Sequence, residues 1–199
     1  MRILDQVLAT NKEFVKEWAN LQEQTNNKPV SKIPAKELAI FTCMDTRLVD
    51  FLEGALGIAR GDAKVLKNAG ATLASPFGVI IRSLVMAIYE LGVKEVMVVG
   101  HRDCGMAHAT ADGLKEKMIA RGVSPDAIKV VEQSIVNWVD TFHHPIENVA
   151  DVVKQIRENP FIPKDVPVHG LIFDPVDGRL DLIVNGYDNM PPQEEPDAN

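Results

Sequence analysis

Cysteine is nearly absent from this chain: Cys43 and Cys104 are the two in 199 residues. So sparse a count excludes the disulfide-dense scaffolds of small secreted domains, and a chain of this length can bury a full core without covalent staples. Positive charge is in deficit too. Lys and Arg total 21 against 28 Asp and Glu, a formal net charge of −7. That balance argues against a basic nucleic-acid-binding surface, so no nucleic-acid partner is expected. No apolar run approaches the ~20 residues of a bilayer span, so no membrane partner is expected either. The phosphate-cradling loops are missing: there is no G-x-x-x-x-G-K-[ST], and no G-x-G-x-x-G follows a strand. The opening residues do not read as a leader, because Asp5, Lys12, Glu13, Lys16 and Glu17 interrupt the stretch where a signal peptide is apolar. The expected compartment is a reducing cytoplasm, where both thiols stay free for metal or catalysis.

What is present suits an ordinary soluble domain: 46% hydrophobic and 25% charged residues. Residues 4–24 carry Leu4, Val7, Leu8, Phe14, Val15, Trp18 and Leu21 near helical spacing and predict an amphipathic helix. A connector with two prolines follows. Residues 38–42 predict a first strand that stops at Cys43, 48–58 a short helix, and 63–68 a weaker strand. Ser75-Pro76 predicts a helix start, with a hydroxyl cap and proline in the first turn, running to a stop at Gly92. The apolar run 95–99 predicts a central parallel strand ending at Gly100-His101. Helices are expected over 105–121, from Ser124-Pro125 to about 139, and over 146–158. Residues 168–173 and 180–184 predict strands joined by the turn-rich Asp174-Pro175-Val176-Asp177-Gly178, hence a hairpin.

Alternating strands and helices give the expected fold class: α/β, a single domain with a central, mostly parallel sheet flanked by helices. An N-terminal helical arm and a C-terminal hairpin edge complete it. The expected organisation is an arm and connector over 1–36, a metal-binding α/β domain over 37–185, and a disordered tail over 186–199. In open α/β sheets, sites form beyond the carboxyl ends of strands. Cys43 and His101 both stand at such ends, and Cys104 lies three residues beyond His101.

That placement makes Cys43, His101 and Cys104 the candidate metal ligands. Zinc, as Zn2+, accepts thiolate and imidazole in tetrahedral geometry, and three protein ligands leave one position open, as catalytic sites require. The competing reading is plain: free cysteines are often buried as small hydrophobes, and H-x-x-C alone is weak. Asp45 and Arg47 follow in Cys43-Met44-Asp45-Thr46-Arg47. The Asp45 carboxylate can ligate the metal, pair with Arg47 and accept a hydrogen bond from a water on the metal, or form a bland surface ion pair. His108, four residues after Cys104, is placed by helical spacing near the same face, and it reads equally well as a surface histidine. Asp103 supports this loop or is simply solvated.

C-x-D-x-R at Cys43–Arg47, followed by an apolar strand ending in H-x-x-C-G at His101–Gly105, resembles a beta-class carbonic anhydrase. Asn68-Ala69-Gly70-Ala71 resembles that family's intervening loop. The likeness covers residues 38–110 well and the later 168–183 stretch more loosely. It sits nearer the compact microbial branch, since the glutamine and aromatic pocket residues of the plant-like branch have no counterparts here. The resemblance implies a zinc lyase: reversible hydration of carbon dioxide to bicarbonate and a proton by zinc-bound hydroxide. It makes Cys43, His101 and Cys104 the ligands and Asp45 and Arg47 the catalytic dyad. Asp45 is a further ligand in a closed form only, and Gly70 and Ala71 border the substrate. It implies a homodimer or a dimer of dimers, with the N-terminal helix packed across the partner. The same branch holds relatives that hydrolyse carbon disulfide or carbonyl sulfide. A zinc-stabilised binding protein without turnover is the remaining alternative. Two thiolates and a neutral imidazole cancel the charge of Zn2+. The water of such a neutral centre is expected to titrate above the ~7 of a three-histidine site.

Overall fold

A computed structural model describes residues 2–25 and 29–189. The chain divides into two compact units, Met1–Ser31 and Lys32–Asn199. Among its described residues the first unit holds one long helix, α1 (Ile3–Thr25), in which Phe14 and Trp18, one turn apart, stack with ring centroids 5.9 Å apart. No helix among the described residues is long and apolar enough to cross a membrane.

The second unit is built on β1 (Leu38–Cys43), β2 (Ala63–Asn68), β3 (Glu95–His101), β4 (Val168–Phe173) and β5 (Leu180–Val184). Their order in the sheet is β2-β1-β3-β4-β5. β1 pairs parallel with both β2 and β3, β3 pairs parallel with β4, and β5 closes the edge antiparallel to β4. Every residue of β1 is buried, the signature of a strand covered on both faces. The edge strands β2 and β5 contain no fully buried residue. One face of the sheet carries the core of Phe41, Val96, Val98, Leu84, Val153 and Ile156. A second core gathers Ile40, Leu48, Leu52, Val99, Phe142 and Phe173 around the two cysteines.

Five helices flank the sheet: α2 (Phe51–Ala55), α3 (Val79–Tyr89), α4 (Ala111–Ala120), α5 (Pro125–Val139) and α6 (Pro145–Glu158). α5 begins where the sequence predicts. Ser124 Oγ accepts from the Ala127 amide at 3.2 Å, and Pro125 follows in the first turn. Ser75-Pro76 has the same signature but starts no helix. Gly78 donates to the Ser75 carbonyl at 3.2 Å in a tight turn, and α3 begins only at Val79. Tertiary contacts hold the segment out of the helix: Asn159 Nδ2 donates to the Pro76 carbonyl, and Phe77 packs on Phe161 with centroids 4.7 Å apart. The helix expected over 48–58 shortens to α2, because Asp50 adopts φ +60° just before it. The helix expected over 105–121 divides into a 3-10 turn, Gly105–His108, and α4. The Thr110 hydroxyl accepts from the Gly113 amide and caps α4 afresh.

Of the segment expected as a tail, Gly186–Asn189 forms a 3-10 turn, and residues 190–199 lie outside the described residues. Two contacts hold the turn in the fold. Gly186 donates its amide to Nδ1 of buried His169 at 3.0 Å, and Tyr187 donates its hydroxyl to Glu95 at 2.8 Å. A side chain at Gly186 would meet the Val168 backbone at 2.7 Å, so glycine is required there by close approach.

The strand order matters most for the site. The chain leaves β1 for β2 on one side and returns as β3 on the other, so β1 and β3 flank the point where the winding reverses. In open α/β sheets ligands bind in the crevice at that point, beyond the carboxyl ends of the strands. Cys43 is the last residue of β1 and His101 the last of β3.

Candidate metal centre

Cys43, His101 and Cys104 come together at this crevice. One ligand atom from each lies within 4.8 Å of those of the other two, and among the described residues no other group of His, Cys, Asp and Glu meets that standard. All three are buried, with exposures of 5%, 1% and 2%. Cys43 Sγ and Cys104 Sγ are 3.9 Å apart. Two thiolates bound to one tetrahedral zinc at ~2.3 Å each stand about 3.8 Å apart, so the pair is set for a shared ion. The cysteines are free, with no disulfide.

The histidine is oriented by backbone. His101 Nδ1 lies 2.9 Å from the Arg102 carbonyl, which can only accept, so Nδ1 carries the proton. That tautomer leaves Nε2 with a lone pair. Nε2 is buried and has no hydrogen-bond partner. Metal-binding histidines are commonly held this way, with the second ring nitrogen on a carbonyl. An unpartnered, unprotonated nitrogen beside two thiols is the donor set of a Cys2His site, and the residues present fit a zinc ion.

Electrostatics within the group agree. The Cys104 thiol beside it holds the Cys43 thiol down at about 4, against the effect of burial. The Cys104 thiol is pushed up by the same contact and by burial. Burial opposes the charged form of His101, yet the Cys43 sulfur outweighs it and the net direction is up. The Gly70 amide adds a hydrogen bond to Cys43 Sγ at 3.3 Å.

Asp45 and Arg47 form a fork. Arg47 donates its backbone amide and Nε to Asp45 Oδ1 at 2.9 and 3.0 Å, and Nη2 to Oδ2 at 2.9 Å. Those hydrogen bonds hold the Asp45 carboxyl at about 2 and push the Arg47 guanidinium up. Asp45 Oδ2 lies 3.8 Å from His101 Nε2, so the carboxylate stands at the metal-binding edge of the imidazole. Both oxygens are on Arg47, and Asp45 is not one of the three clustered donors.

Around this fork the structure gives Asp103, His108, Gly70 and Ala71 definite places and adds Asn148, which sequence reasoning missed. Asp103 is the far anchor of Arg47: Nη1 donates to Asp103 Oδ2 at 2.9 Å and Nη2 to the Asp103 carbonyl at 2.7 Å. Asp103 itself adopts a left-handed φ of +52°. Asp103 was readable only as a possible loop support, because its partner is 56 residues away. Asn148 of α6 donates to the Gly70 and Ala71 carbonyls, and nothing in its local sequence marks it. His108, itself exposed, ends the 3-10 turn 3.7 Å from Asp103 Oδ1. Gly70 and Ala71, expected beside the substrate, form the turn after β2 and are both buried.

The model of the family described as "Carbonic anhydrase" matches residues 38–180. The Bacillus subtilis (strain 168) protein named "Putative carbonic anhydrase YtiB" is 43% identical over 192 residues, covering 95% of this chain and 100% of the relative. The crystal structure of beta-carbonic anhydrase isoform I from Trichomonas vaginalis superposes with a TM-score of 0.88. It is 41% identical, and the match covers 94% of this chain and 100% of that one. A carbon disulfide hydrolase of Acidithiobacillus thiooxidans is 29% identical over 190 residues, 89% of each chain.

Proposed function

This chain belongs to the beta-class carbonic anhydrase family, and from that membership we propose that it hydrates carbon dioxide reversibly to bicarbonate and a proton in a zinc-dependent reaction. The observation that carries this reading is the donor set: two thiol sulfurs 3.9 Å apart beside a buried imidazole nitrogen with no hydrogen-bond partner. Cys43, Cys104 and His101 Nε2 would hold the ion, and a fourth position would stay open. When bound, zinc supplies the Lewis acidity that makes hydroxide available from water near neutral pH.

The chain's own residues do the orienting. Asp45 stays an anion at every working pH because Arg47 holds its carboxyl at about 2. An ionised carboxylate only accepts hydrogen bonds. It would therefore accept a hydrogen bond from the attacking oxygen species and turn a lone pair of that oxygen toward the substrate carbon. Arg47 keeps the carboxylate in that pose through the bidentate fork. In a closed form Asp45 would leave the fork and join the three donors. Gly70 and Ala71 would border the substrate. The apolar stripe of α1 needs cover, and we propose a second copy of the chain supplies it, giving a homodimer or a dimer of dimers. Two free thiols suit a reducing cytoplasm as the place of work.

A second reading keeps the site and changes the substrate to carbon disulfide or carbonyl sulfide, and the 29% identity to a carbon disulfide hydrolase favours it. All three molecules are linear, neutral and electrophilic at the central carbon, so the donor set does not separate them. The test is a pair of assays on one zinc-loaded preparation: stopped-flow hydration of carbon dioxide, and sulfide release from carbon disulfide. Fast hydration with negligible sulfide release supports the lyase. Sulfide release without hydration reverses the assignment. Neither reaction, with zinc bound, leaves a zinc-stabilised binding protein.

A further inference from the structure

The turn after β2 is an unusual piece of backbone. Gly70 and Ala71 are both left-handed, at φ +72° and +52°. Glycine tolerates this freely, whereas alanine adopts it only against steric resistance. The turn presents the Gly70 amide to Cys43 Sγ at 3.3 Å. Space as well as φ requires glycine, since a side chain there would lie 2.9 Å from Met106 Cγ and 3.0 Å from Phe142 Cε2.

Two asparagines hold the turn. Asn68 closes its base, donating to the Thr72 carbonyl at 2.8 Å and accepting from the Thr72 amide at 3.1 Å. Asn148 reaches in from α6 and donates Nδ2 to the Gly70 carbonyl at 3.1 Å and the Ala71 carbonyl at 3.4 Å. The reach of Asn148 is set by its neighbour. Val149 is fully buried, and its methyls fill the space that side chains at Gly100 and Gly170 would take, 2.6 and 2.8 Å from those missing Cβ atoms. Gly100 immediately precedes His101. One turn of α6 thus seats on the strand end that carries His101 and clamps the turn that hydrogen-bonds Cys43.

We propose that Asn148 is a positioning residue for the metal centre: by fixing the Gly70–Ala71 turn it holds the Gly70 N–H on the Cys43 sulfur and so sets that thiolate's donor strength. The inference rests on the reading of Cys43 as a metal ligand. An N–H···S hydrogen bond draws electron density from the sulfur and fixes the direction of its remaining lone pairs. In a buried, weakly polarisable site this effect is large, and outer-layer partners of this kind tune metal affinity.

The test uses the full chain loaded with cobalt(II), whose thiolate-to-metal charge-transfer band reports sulfur donation directly. Asn148→Leu and the nearly isosteric Asn148→Asp are compared with Val152→Ala, a core substitution on the same helix. The expected result is a shift of the band to longer wavelength in both Asn148 variants, as the sulfur regains density, with zinc lost to a chelator about tenfold faster, as the sulfur lone pairs lose their fixed direction. Val152→Ala should lower Tm and leave both readouts at wild-type values. Asn148 variants with the wild-type band and release rate would overturn the proposal. An equal shift in Val152→Ala would overturn it too, by tracing the effect to general loosening. A wild-type protein with no thiolate band would instead defeat the metal reading itself, and the inference with it.

Discussion

Cys43 Sγ and Cys104 Sγ lie 3.9 Å apart although 61 residues separate them in the chain. The contact exists because β1 and β3 are hydrogen-bonded neighbours, so their carboxyl ends share one crevice. The Cys104 thiol stabilises the Cys43 thiolate, and a metal must displace that remaining proton to take both sulfurs. Metal binding at this site would therefore release protons and weaken as pH falls.

Removing one sulfur breaks the donor set. Cys104→Ser is expected to reduce bound zinc from near one per chain to below about a tenth, and to abolish hydration. Elemental analysis alongside stopped-flow hydration checks both. A variant that retains stoichiometric zinc and full rate would remove Cys104 from the metal site.

Asp45→Asn separates orientation from binding. Asparagine offers one acceptor oxygen, and its amide would turn donors toward Arg47. Zinc content should stay at the wild-type level while kcat falls about 10–100-fold. An unchanged kcat would leave the Asp45–Arg47 pair without a part in the reaction.

Two thiolates would leave a bound Zn2+ formally neutral, a weaker acid catalyst than an ion held by neutral imidazoles. The hydration rate should climb between about pH 6 and pH 9. A plateau already reached at pH 6 would contradict the charge count.

Acid stability of the metal-free protein gives an independent handle on Asp45. Its carboxyl is held at about 2 against an ordinary ~3.9. A depressed carboxyl contributes stability that is complete above the unfolded value and lost as pH falls through the window from ~4 to ~2. Allowing for solvent screening of a partly exposed pair, the loss is about 1 kcal/mol. Urea midpoints at pH 5 and pH 2.5 should fall further for wild type than for Asp45→Asn. Equal losses would mean that the ion pair does not stabilise the fold.

Gly100 is required by packing rather than by backbone conformation. A methyl there would sit 2.6 Å from Val149 Cγ2 and 3.0 Å from Ile172 Cδ1. Gly100→Ala should cost about 1–3 kcal/mol through overpacking. Adding Val149→Ala should recover part of it, because the second change vacates the contested space. Chemical denaturation of the double variant tests this, and strictly additive losses would place the strain elsewhere.

Legibility from sequence followed the range of the forces involved. β1 and β3 were readable because a strand buried on both faces is a short unbroken apolar run, as in Leu38–Cys43. The hairpin was readable because turn residues cluster at 174–178. Ser124-Pro125 began α5 as expected, but the same dipeptide type at Ser75-Pro76 did not begin α3. The difference is one of tertiary contact: Asn159 and Phe161 engage Pro76 and Phe77, and no local pattern carries that information. The break after His108 was missed for a related reason, since Thr110 reads as an interior helix residue until its hydroxyl is seen to cap α4.

The sequence by itself determined the element types, the hairpin and the inventory of donors: two sulfurs and one imidazole, each at or just past the carboxyl end of a strand. These follow from periodicity and turn chemistry, which act over a few residues. Only the tertiary structure decided that β3 returns on the opposite side of β1 from β2. Long-range burial makes that choice, and it turns three separate residues into one site. It also decided that Arg47 bridges Asp45 to Asp103 and that Asn148 clamps Gly70. Those contacts depend on how far a side chain reaches across packed elements, which spacing along the chain does not encode.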